Sequence, residues 1–179
     1  AGFLGFFAML TFQPFLGWFA VAIVGSCLGF LPFNLRPRRP AAIFLGDAGS
    51  TFLGFILAAL AVKGEWAENK VIDLAVPVLI FWIFIFDMTH ITLHRIASGR
   101  VKTFHEWIAY VGKDHLHHRL EALLSSQRKT VFMIFSLCIC MGLAGIALRG
   151  ARTLEAVLLI LQAVIIVVVV SILEHVRNR

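Results

Sequence analysis

Long apolar segments separated by short polar ones are the feature that most constrains this chain of 179 residues. Only 15% of the residues are charged, whereas about a quarter of the residues in a soluble domain are charged. The mean hydropathy is correspondingly high, at +0.90. A helix that crosses a bilayer core needs about 20 apolar residues, and the segments have that length. The pattern predicts an all-α, polytopic membrane helix bundle, excludes a disordered chain and argues against a water-soluble domain.

Five of these segments predict five membrane spans, and residues 1–12 predict the remnant of another helix. Gln13-Pro14 separates the remnant from the first span, because proline inside a helix removes a backbone hydrogen bond. We predict that residues 1–179 form a single transmembrane domain. Since the chain opens on Ala1 rather than a methionine, we expect it to be part of a longer protein. The predicted spans are 15–33, 44–63, 71–91, 130–148 and 154–174.

The basic residues are divided unequally between the two sides of this bundle. The side with the connection 34–43, the loop 92–129 and the C-terminal tail carries twelve of the 16 lysines and arginines. Because cytoplasmic loops are enriched in Lys and Arg, we predict a multi-pass protein of the inner or plasma membrane with loop 92–129 in the cytoplasm. These loops account for the net charge of +6, so nucleic acid is not an expected partner. The twelve are Arg36, Arg38, Arg39, Arg95, Arg100, Lys102, Lys113, Arg119, Arg128, Lys129, Arg177 and Arg179.

A carboxylate, Asp47, stands at the start of the apolar segment 44–63. A charge within an apolar segment is unfavourable and marks a functional candidate, but at a helix start Asp47 can also act as a cap for free backbone N–H groups. Small residues recur beside it at every fourth position and predict the close approach of another helix. A carboxylate in such a place suits a hydrated Mg²⁺ shared with substrate phosphates. The small residues are Gly46, Ser50, Gly54 and Ala58.

Three histidines and an arginine lie together in the predicted cytoplasmic loop, as His115, His117, His118 and Arg119. In a helix, His115, His118 and Arg119 share one face, and leucines on another face contact the membrane or the bundle. Three interpretations remain open. They are a zinc site, for which a closed ligand set is lacking, a solvated polar face, and an anion site in which Arg119 binds phosphate. The charge of the loop favours the anion site.

Asp87 lies near the cytoplasmic end of segment 71–91, followed by His90, His94 and Arg95. The spacing places these side chains along one side of a helix, so an internal ion pair and a direct catalytic role both remain open for Asp87, with Arg95 in a supporting role. Asn34 precedes a group of arginines that attract anionic lipid headgroups or an anionic substrate.

Two motifs resemble those of the polyprenyl-phosphate N-acetylhexosamine-1-phosphate transferases. One is Phe33-Asn34-Leu35-Arg36-Pro37 followed by Ala42-Ile43-Phe44-Leu45-Gly46-Asp47-Ala48-Gly49-Ser50-Thr51-Phe52-Leu53-Gly54. The other is His115-Leu116-His117-His118-Arg119-Leu120. The resemblance covers nearly the whole chain. This family includes the phospho-N-acetylmuramoyl-pentapeptide transferase of cell-wall synthesis.

The resemblance implies a Mg²⁺-dependent enzyme that moves a sugar 1-phosphate from a UDP-N-acetylhexosamine, most simply UDP-N-acetylglucosamine, to polyprenyl phosphate. The products are a polyprenyl-diphospho-sugar and UMP, and the reaction starts the synthesis of a cell-envelope polysaccharide. Asp47 is then the catalytic residue and the metal ligand. The substrate-binding residues implied are Asn34, His115, His117, His118 and Arg119. A homodimer is kept as a hypothesis.

The chain departs from the family pattern because a paired-aspartate motif and an Asn/Asp-rich loop are absent from its sequence. The resemblance therefore implies the C-terminal half of such an enzyme, and we expect residues 1–179 alone to be inactive. Gly112 stands where many members have an aspartate. Two alternatives remain. One is a non-catalytic relative. The other is a small transporter or channel subunit with Asp47 and Asp87 on an ion path, which is disfavoured because both residues lie near the cytoplasmic ends of their segments.

Overall fold

The computed structural model describes residues 1–36, 39–110, 112 and 114–177, apart from the side chains of Ile108 and of 173–177. The described chain is 79% helix and contains no strand, which confirms the all-α prediction. It divides into two compact units, 1–77 and 78–179, and each is described by itself. Arg38, Lys113 and Arg179, three of the basic residues used to predict the topology, lie outside the described residues.

In the first unit, α1 (Gly2–Leu10) packs on α2 (Pro14–Asn34). The two helices approach closely at Gly5, where an added Cβ would lie 3.0 Å from the Cβ of Ala20. Pro14 occupies the first turn of α2, where its missing N–H has no intrahelical role. The break predicted at Gln13-Pro14 is therefore confirmed.

The connection between α3 (Gly46–Lys63) and α4 (Lys70–Ile80) is anchored by Trp66, which is only 1% exposed. Its indole N–H donates to the carbonyl of Ala61 at 2.8 Å, and its ring meets Phe7 edge to face. The carboxylate of Asp73 accepts the backbone N–H of Trp66. These contacts give hydrogen-bond partners to the backbone and indole N–H groups of Trp66, which would otherwise be buried without them.

A second anchor joins the start of α2 to the same connection. The side chain of Gln13 donates to the backbone carbonyl of Glu65 at 2.7 Å and accepts the backbone N–H of Glu65 at 3.0 Å. The amide thus satisfies both the N–H and the carbonyl of Glu65. It connects the residue before α2 to the segment after α3.

The second unit contains α5 (Trp82–Ala97), α6 (Phe104–Ala109), α7 (Leu116–Leu124), α8 (Gln127–Arg149) and α9 (Thr153–Arg177). Both α5 and α7 pack against α8 and α9. The leucine face predicted for the histidine segment is buried, with Leu116 5% and Leu120 1% exposed. Burial of these leucines leaves the opposite face of α7 to its polar residues.

Among the described residues, four helices are long and apolar enough to cross a membrane: α2, α3, α8 and residues 153–172 of α9. The predicted span 71–91 is instead two helices, α4 and α5, interrupted at Phe81. Pro77 lies one turn before the interruption, within α4, where it leaves the carbonyl of Asp73 without its helical hydrogen bond. If α4 and α5 form one broken span, the spans number five. The chain is a multi-pass membrane protein.

Candidate functional site

Asp47 lies in the first turn of α3 and is exposed. It does not cap the helix, since the N-cap position is Leu45 and no side chain makes a cap hydrogen bond there. Within the described residues its carboxylate has no hydrogen bond or ion pair. The backbone before it turns sharply, with φ of +67° at Gly46, a conformation that glycine adopts without strain. The carboxylate is therefore available to a ligand.

The small-residue face of α3 is open. Ser50 and Ala58 are exposed, and no heavy atom lies within 4 Å of the position that a Cβ on Gly54 would take. The helix packing predicted for this face is not present among the described residues.

Asn34 ends α2 and closes the connection to α3. Its side-chain amide donates to the carbonyl of Ile43 at 3.1 Å, and the backbone N–H of Ala42 donates to the carbonyl of Phe33 at 2.9 Å. Asn34 thus holds together the two ends of a segment that includes Arg36 and Arg39. The side-chain NH₂ group of Asn34 therefore makes a structural contact.

In the second unit, Asp87 binds the start of α7. Its Oδ1 accepts the backbone N–H of Leu116 at 2.7 Å, and its Oδ2 accepts Nδ1–H of His115 at 3.1 Å. Leu116 is the first residue of α7, and His115 is the N-cap residue but makes no cap hydrogen bond with its own side chain. The first N–H groups of a helix lack intrahelical partners and carry partial positive charge. Asp87 supplies an acceptor and a negative charge at that point.

Arg119 joins this cluster from the next turn of α7. Its Nη2 lies 3.4 Å from Oδ1 of Asp87, and its Nη1 lies 2.6 Å from Nδ1 of His90. Asp87 is 15% and Arg119 19% exposed at the side chain, so the ion pair is partly shielded from water. Asp87 thus forms an ion pair with Arg119 of α7, rather than with a basic neighbour on its own helix as the sequence analysis considered. We refer to Asp87, His90, His115 and Arg119 as the Asp87 cluster.

The other two histidines of the motif stack beside His115. The ring centroids of His117 and His118 are 4.1 Å apart, and those of His115 and His117 are 6.0 Å apart. Partial burial lowers the pKa of His117, and the nearby His118 and His115 lower it further. The guanidinium of Arg119 stays protonated, so it carries the permanent positive charge of the motif.

Arg95 is 6% exposed and forms a two-pronged ion pair with Asp114. Its Nε donates to Oδ2 at 2.7 Å and its Nη2 to Oδ1 at 2.6 Å. The guanidinium also lies 4.4 Å from the ring centre of Tyr110. The Arg95 hydrogen bonds hold the pKa of Asp114 at about 2, below its usual 3.8. Asp114 directly precedes His115, so this pair fixes the chain at the entrance to the motif.

The side chains around Arg95 also explain why a glycine stands at position 112. A Cβ at this position would lie 2.6 Å from a ring carbon of Tyr110 and 2.9 Å from Oδ1 of Asp114. A larger residue would displace Tyr110 or Asp114, the partners of Arg95.

A closed metal site is not formed by the described residues, in which no three His, Cys, Asp or Glu side chains are grouped as metal ligands. Mg²⁺ is held differently from zinc, usually by one or two carboxylates together with water and substrate phosphates. The exposed carboxylate of Asp47 fits one such ligand.

The sequence placed Asp87, His115 and Arg119 among the candidates, and the structure brings them together, whereas Asn34 and Asp47 lie in the other unit. Sequence reasoning placed His90 beside Asp87 but did not pair it with Arg119, and it missed Asp114 as the partner of Arg95. A buried arginine such as Arg95 requires an acidic partner, but its burial is seen only in the structure.

Comparison with known proteins gives consistent matches. Residues 1–65 match the family model described as glycosyl transferase family 4. The chain is 29% identical over 152 residues to a probable undecaprenyl-phosphate N-acetylglucosaminyl 1-phosphate transferase of Bacillus subtilis, which covers 85% of this chain and 40% of that protein. It is 30% identical over 173 residues to a decaprenyl-phosphate N-acetylglucosaminephosphotransferase of Mycobacterium leprae, covering 89% and 41% respectively.

A third relative is the phospho-N-acetylmuramoyl-pentapeptide-transferase of Alkaliphilus oremlandii, 32% identical over 147 residues, with 82% of this chain and 40% of that protein covered. The chain thus spans about two fifths of the length of these curated relatives. No solved structure matches it. The names of the relatives give the transporter alternative no support. The resemblance predicted from the motifs is confirmed: residues 1–65 match glycosyl transferase family 4, and most of the chain is similar to relatives named as polyprenyl-phosphate N-acetylglucosamine-1-phosphate transferases and a phospho-N-acetylmuramoyl-pentapeptide-transferase.

Proposed function

We propose that this chain takes part in moving N-acetylglucosamine 1-phosphate from its UDP derivative to polyprenyl phosphate, the first step of a cell-envelope polysaccharide. An oxygen of the lipid phosphate would bond to the β-phosphorus of the UDP-sugar as the bond from that phosphorus to the bridging oxygen breaks. UMP leaves with the bridging oxygen, and the product is polyprenyl-diphospho-sugar. The relatives' names support the polyprenyl acceptor and the amino sugar.

The observation that carries the proposal is the position of Arg119, a permanent cation fixed by Asp87 and His90 at the start of α7. Phosphoryl transfer proceeds mainly through positioning and electrostatic stabilisation. A guanidinium held in place before the substrate binds can offset charge on the diphosphate without reorganising during the reaction. The histidines beside it add further donors and acceptors.

Mg²⁺ belongs to the same proposal, with Asp47 as its protein ligand. Bound Mg²⁺ would supply a Lewis acid that neutralises phosphate charge. Asp47 contributes a carboxylate that forms no hydrogen bond or ion pair with the described residues. The excess of basic residues in loop 92–129 supports a cytoplasmic active face in the inner or plasma membrane. A homodimer remains part of the proposal, without a contact that defines it.

Binding of UDP-N-acetylglucosamine to the chain in lipid nanodiscs tests the proposal. We expect Arg119→Ala to weaken binding by tenfold or more, since a hydrogen bond to a charged group contributes roughly 1.5–3 kcal/mol. Arg119→Lys keeps the charge and is expected to lose less. The matched control is Arg100→Ala, which removes an exposed arginine of the same loop. Equal affinity in the Arg119→Ala and Arg100→Ala variants would contradict the assignment.

Catalysis requires a separate assay. We expect residues 1–179 alone to bind the nucleotide sugar without releasing UMP, because the paired-aspartate motif and the Asn/Asp-rich loop of the family are absent from this sequence. UMP release by the purified chain with polyprenyl phosphate and Mg²⁺ would overturn that expectation.

A further inference from the structure

Two imidazole rings of the Asp87 cluster use the same ring nitrogen in opposite ways. Nδ1 of His115 lies 3.1 Å from Oδ2 of Asp87. Nδ1 of His90 lies 2.6 Å from Nη1 of Arg119. An ionised carboxylate only accepts hydrogen bonds and a guanidinium only donates them. His115 therefore donates at Nδ1, whereas His90 accepts at Nδ1.

The free nitrogen of each ring follows from this difference. A neutral imidazole carries one proton, so the nitrogen that is not protonated accepts. In its neutral form His115 has a lone pair on Nε2, and His90 has its proton there. The side chain of His115 is 38% exposed, so a ligand can reach it. His90 and Arg119 present donors, whereas His115 presents an acceptor.

We propose that Asp87 is a positioning residue that keeps the proton of neutral His115 on Nδ1, so that Nε2 accepts a hydrogen bond or a proton from an O–H or N–H group of the substrate. A lone pair repels a phosphate oxygen, and the diphosphate is therefore left to donors such as Arg119. The substrate role rests on the proposed function, but the assignment of the tautomers does not.

Asp87 is suited to this role because three further features restrict its movement. It lies within α5, its Oδ1 is held by the backbone N–H of Leu116, and Arg119 reaches the same oxygen. The two oxygens thus have different partners, and only Oδ2 faces His115. Rotation of the carboxylate would break the contact with the start of α7.

The tautomers are measured directly by two-bond ¹⁵N–¹H correlation NMR of the chain, labelled with ¹⁵N-histidine, in nanodiscs. The spectra are recorded at about pH 9, where a model imidazole is neutral. His115→Gln and His90→Gln variants assign the two spectra among the seven histidines. We expect a proton on Nδ1 of His115 and on Nε2 of His90. A proton on Nε2 of wild-type His115 overturns the proposal, and this measurement needs no substitution of Asp87.

Asp87→Asn provides the second measurement. The amide oxygen can still accept the N–H of Leu116, which turns the NH₂ group toward His115. His115 must then accept at Nδ1, and its proton moves to Nε2. Asp73→Asn is the matched control, since Asp73 is also a carboxylate that accepts a backbone N–H, and it should leave the His115 spectrum unchanged. A His115 that keeps its proton on Nδ1 in Asp87→Asn contradicts the proposal.

Nucleotide-sugar binding separates this inference from the proposed function. We expect Asp87→Asn to weaken UDP-N-acetylglucosamine binding about tenfold, because two donors would then face each other and a hydrogen bond is lost. Unchanged affinity together with an inverted tautomer overturns the substrate role of Nε2. Failure of the wild-type chain to bind the nucleotide sugar overturns the proposed function, whereas the NMR result alone decides the tautomers.

Discussion

The pair of Arg95 and Asp114 yields a prediction whose size follows from the structure. The pKa of Asp114 falls from 3.8 to about 2 in the folded protein, and a tenfold change in proton affinity corresponds to about 1.4 kcal/mol. The pair would thus stabilise the fold by roughly 2.5 kcal/mol at most. Because the Asp114 side chain is 21% exposed, screening by water reduces this, and we expect about 1–2 kcal/mol.

A double-mutant cycle measures this energy. The free energy of unfolding is determined at pH 7 in a mild detergent, by far-UV circular dichroism, for Arg95→Ala, for Asp114→Ala, for the double variant and for the wild type. We expect the two substitutions to be coupled by about 1–2 kcal/mol. Each single variant should lose more than that, since it leaves a partly buried charge without its partner. Coupling below about 0.5 kcal/mol, the size expected of independent sites, would refute the reasoning.

The pH dependence provides an independent check with a defined sign. Since the folded-state pKa of Asp114 is lowered, its stabilisation is complete above about pH 4, where the unfolded state is also ionised. The stabilisation is lost as the pH falls from about 4 to about 2. The Arg95→Ala variant should lack this part of the acid sensitivity. An identical fall in stability for the variant and the wild type over that range would also count against the ion pair.

Three further predictions concern other parts of the chain. Asp47→Asn should remove the Mg²⁺ dependence of UDP-N-acetylglucosamine binding without lowering the unfolding temperature, and titrations with and without EDTA decide this. Gly112→Ala should destabilise the fold by about 1–3 kcal/mol, because the new methyl group crowds Tyr110; unfolding measurements that show no loss would mean that the ring moves freely. Gln13→Ala should lower the unfolding free energy by about 1–2 kcal/mol through loss of its two hydrogen bonds to Glu65, and Gln13→Glu should recover only the accepting one.

Periodicity and apolar length were sufficient to predict much of the fold. The bounds of α2, α3 and α8 differ from the predicted spans by no more than three residues, because apolar length sets the span. The buried face of α7 was also predicted, since Leu116 and Leu120 are four residues apart and must share a face. These features depend on local sequence alone.

Features that depend on the path of the chain were not predicted. The sequence offered Arg95 a partner in Asp87 on the same helix, but the structure pairs it with Asp114, beyond the whole of α6. Similarly, Asp87 reaches His115 only because the chain returns to α5 before α7 begins. The interruption at Phe81 was missed because residues 78–83 are all apolar and contain neither proline nor glycine.

The anchoring of α7 to α5 has a consequence for engineering and for sequence divergence. Asp87 and Arg95 hold the far end of the segment that leaves α5, through Leu116, His115 and Asp114. Contacts with α5 therefore fix the position of the histidine motif, and the length of the segment between α5 and α7 does not. Doubling the length of such a closed segment costs only about 0.6 kcal/mol in entropy. Gly99, with φ of +68° and open space around it, is accordingly a place where an epitope tag or a fluorescent reporter can be inserted while the histidines keep their register.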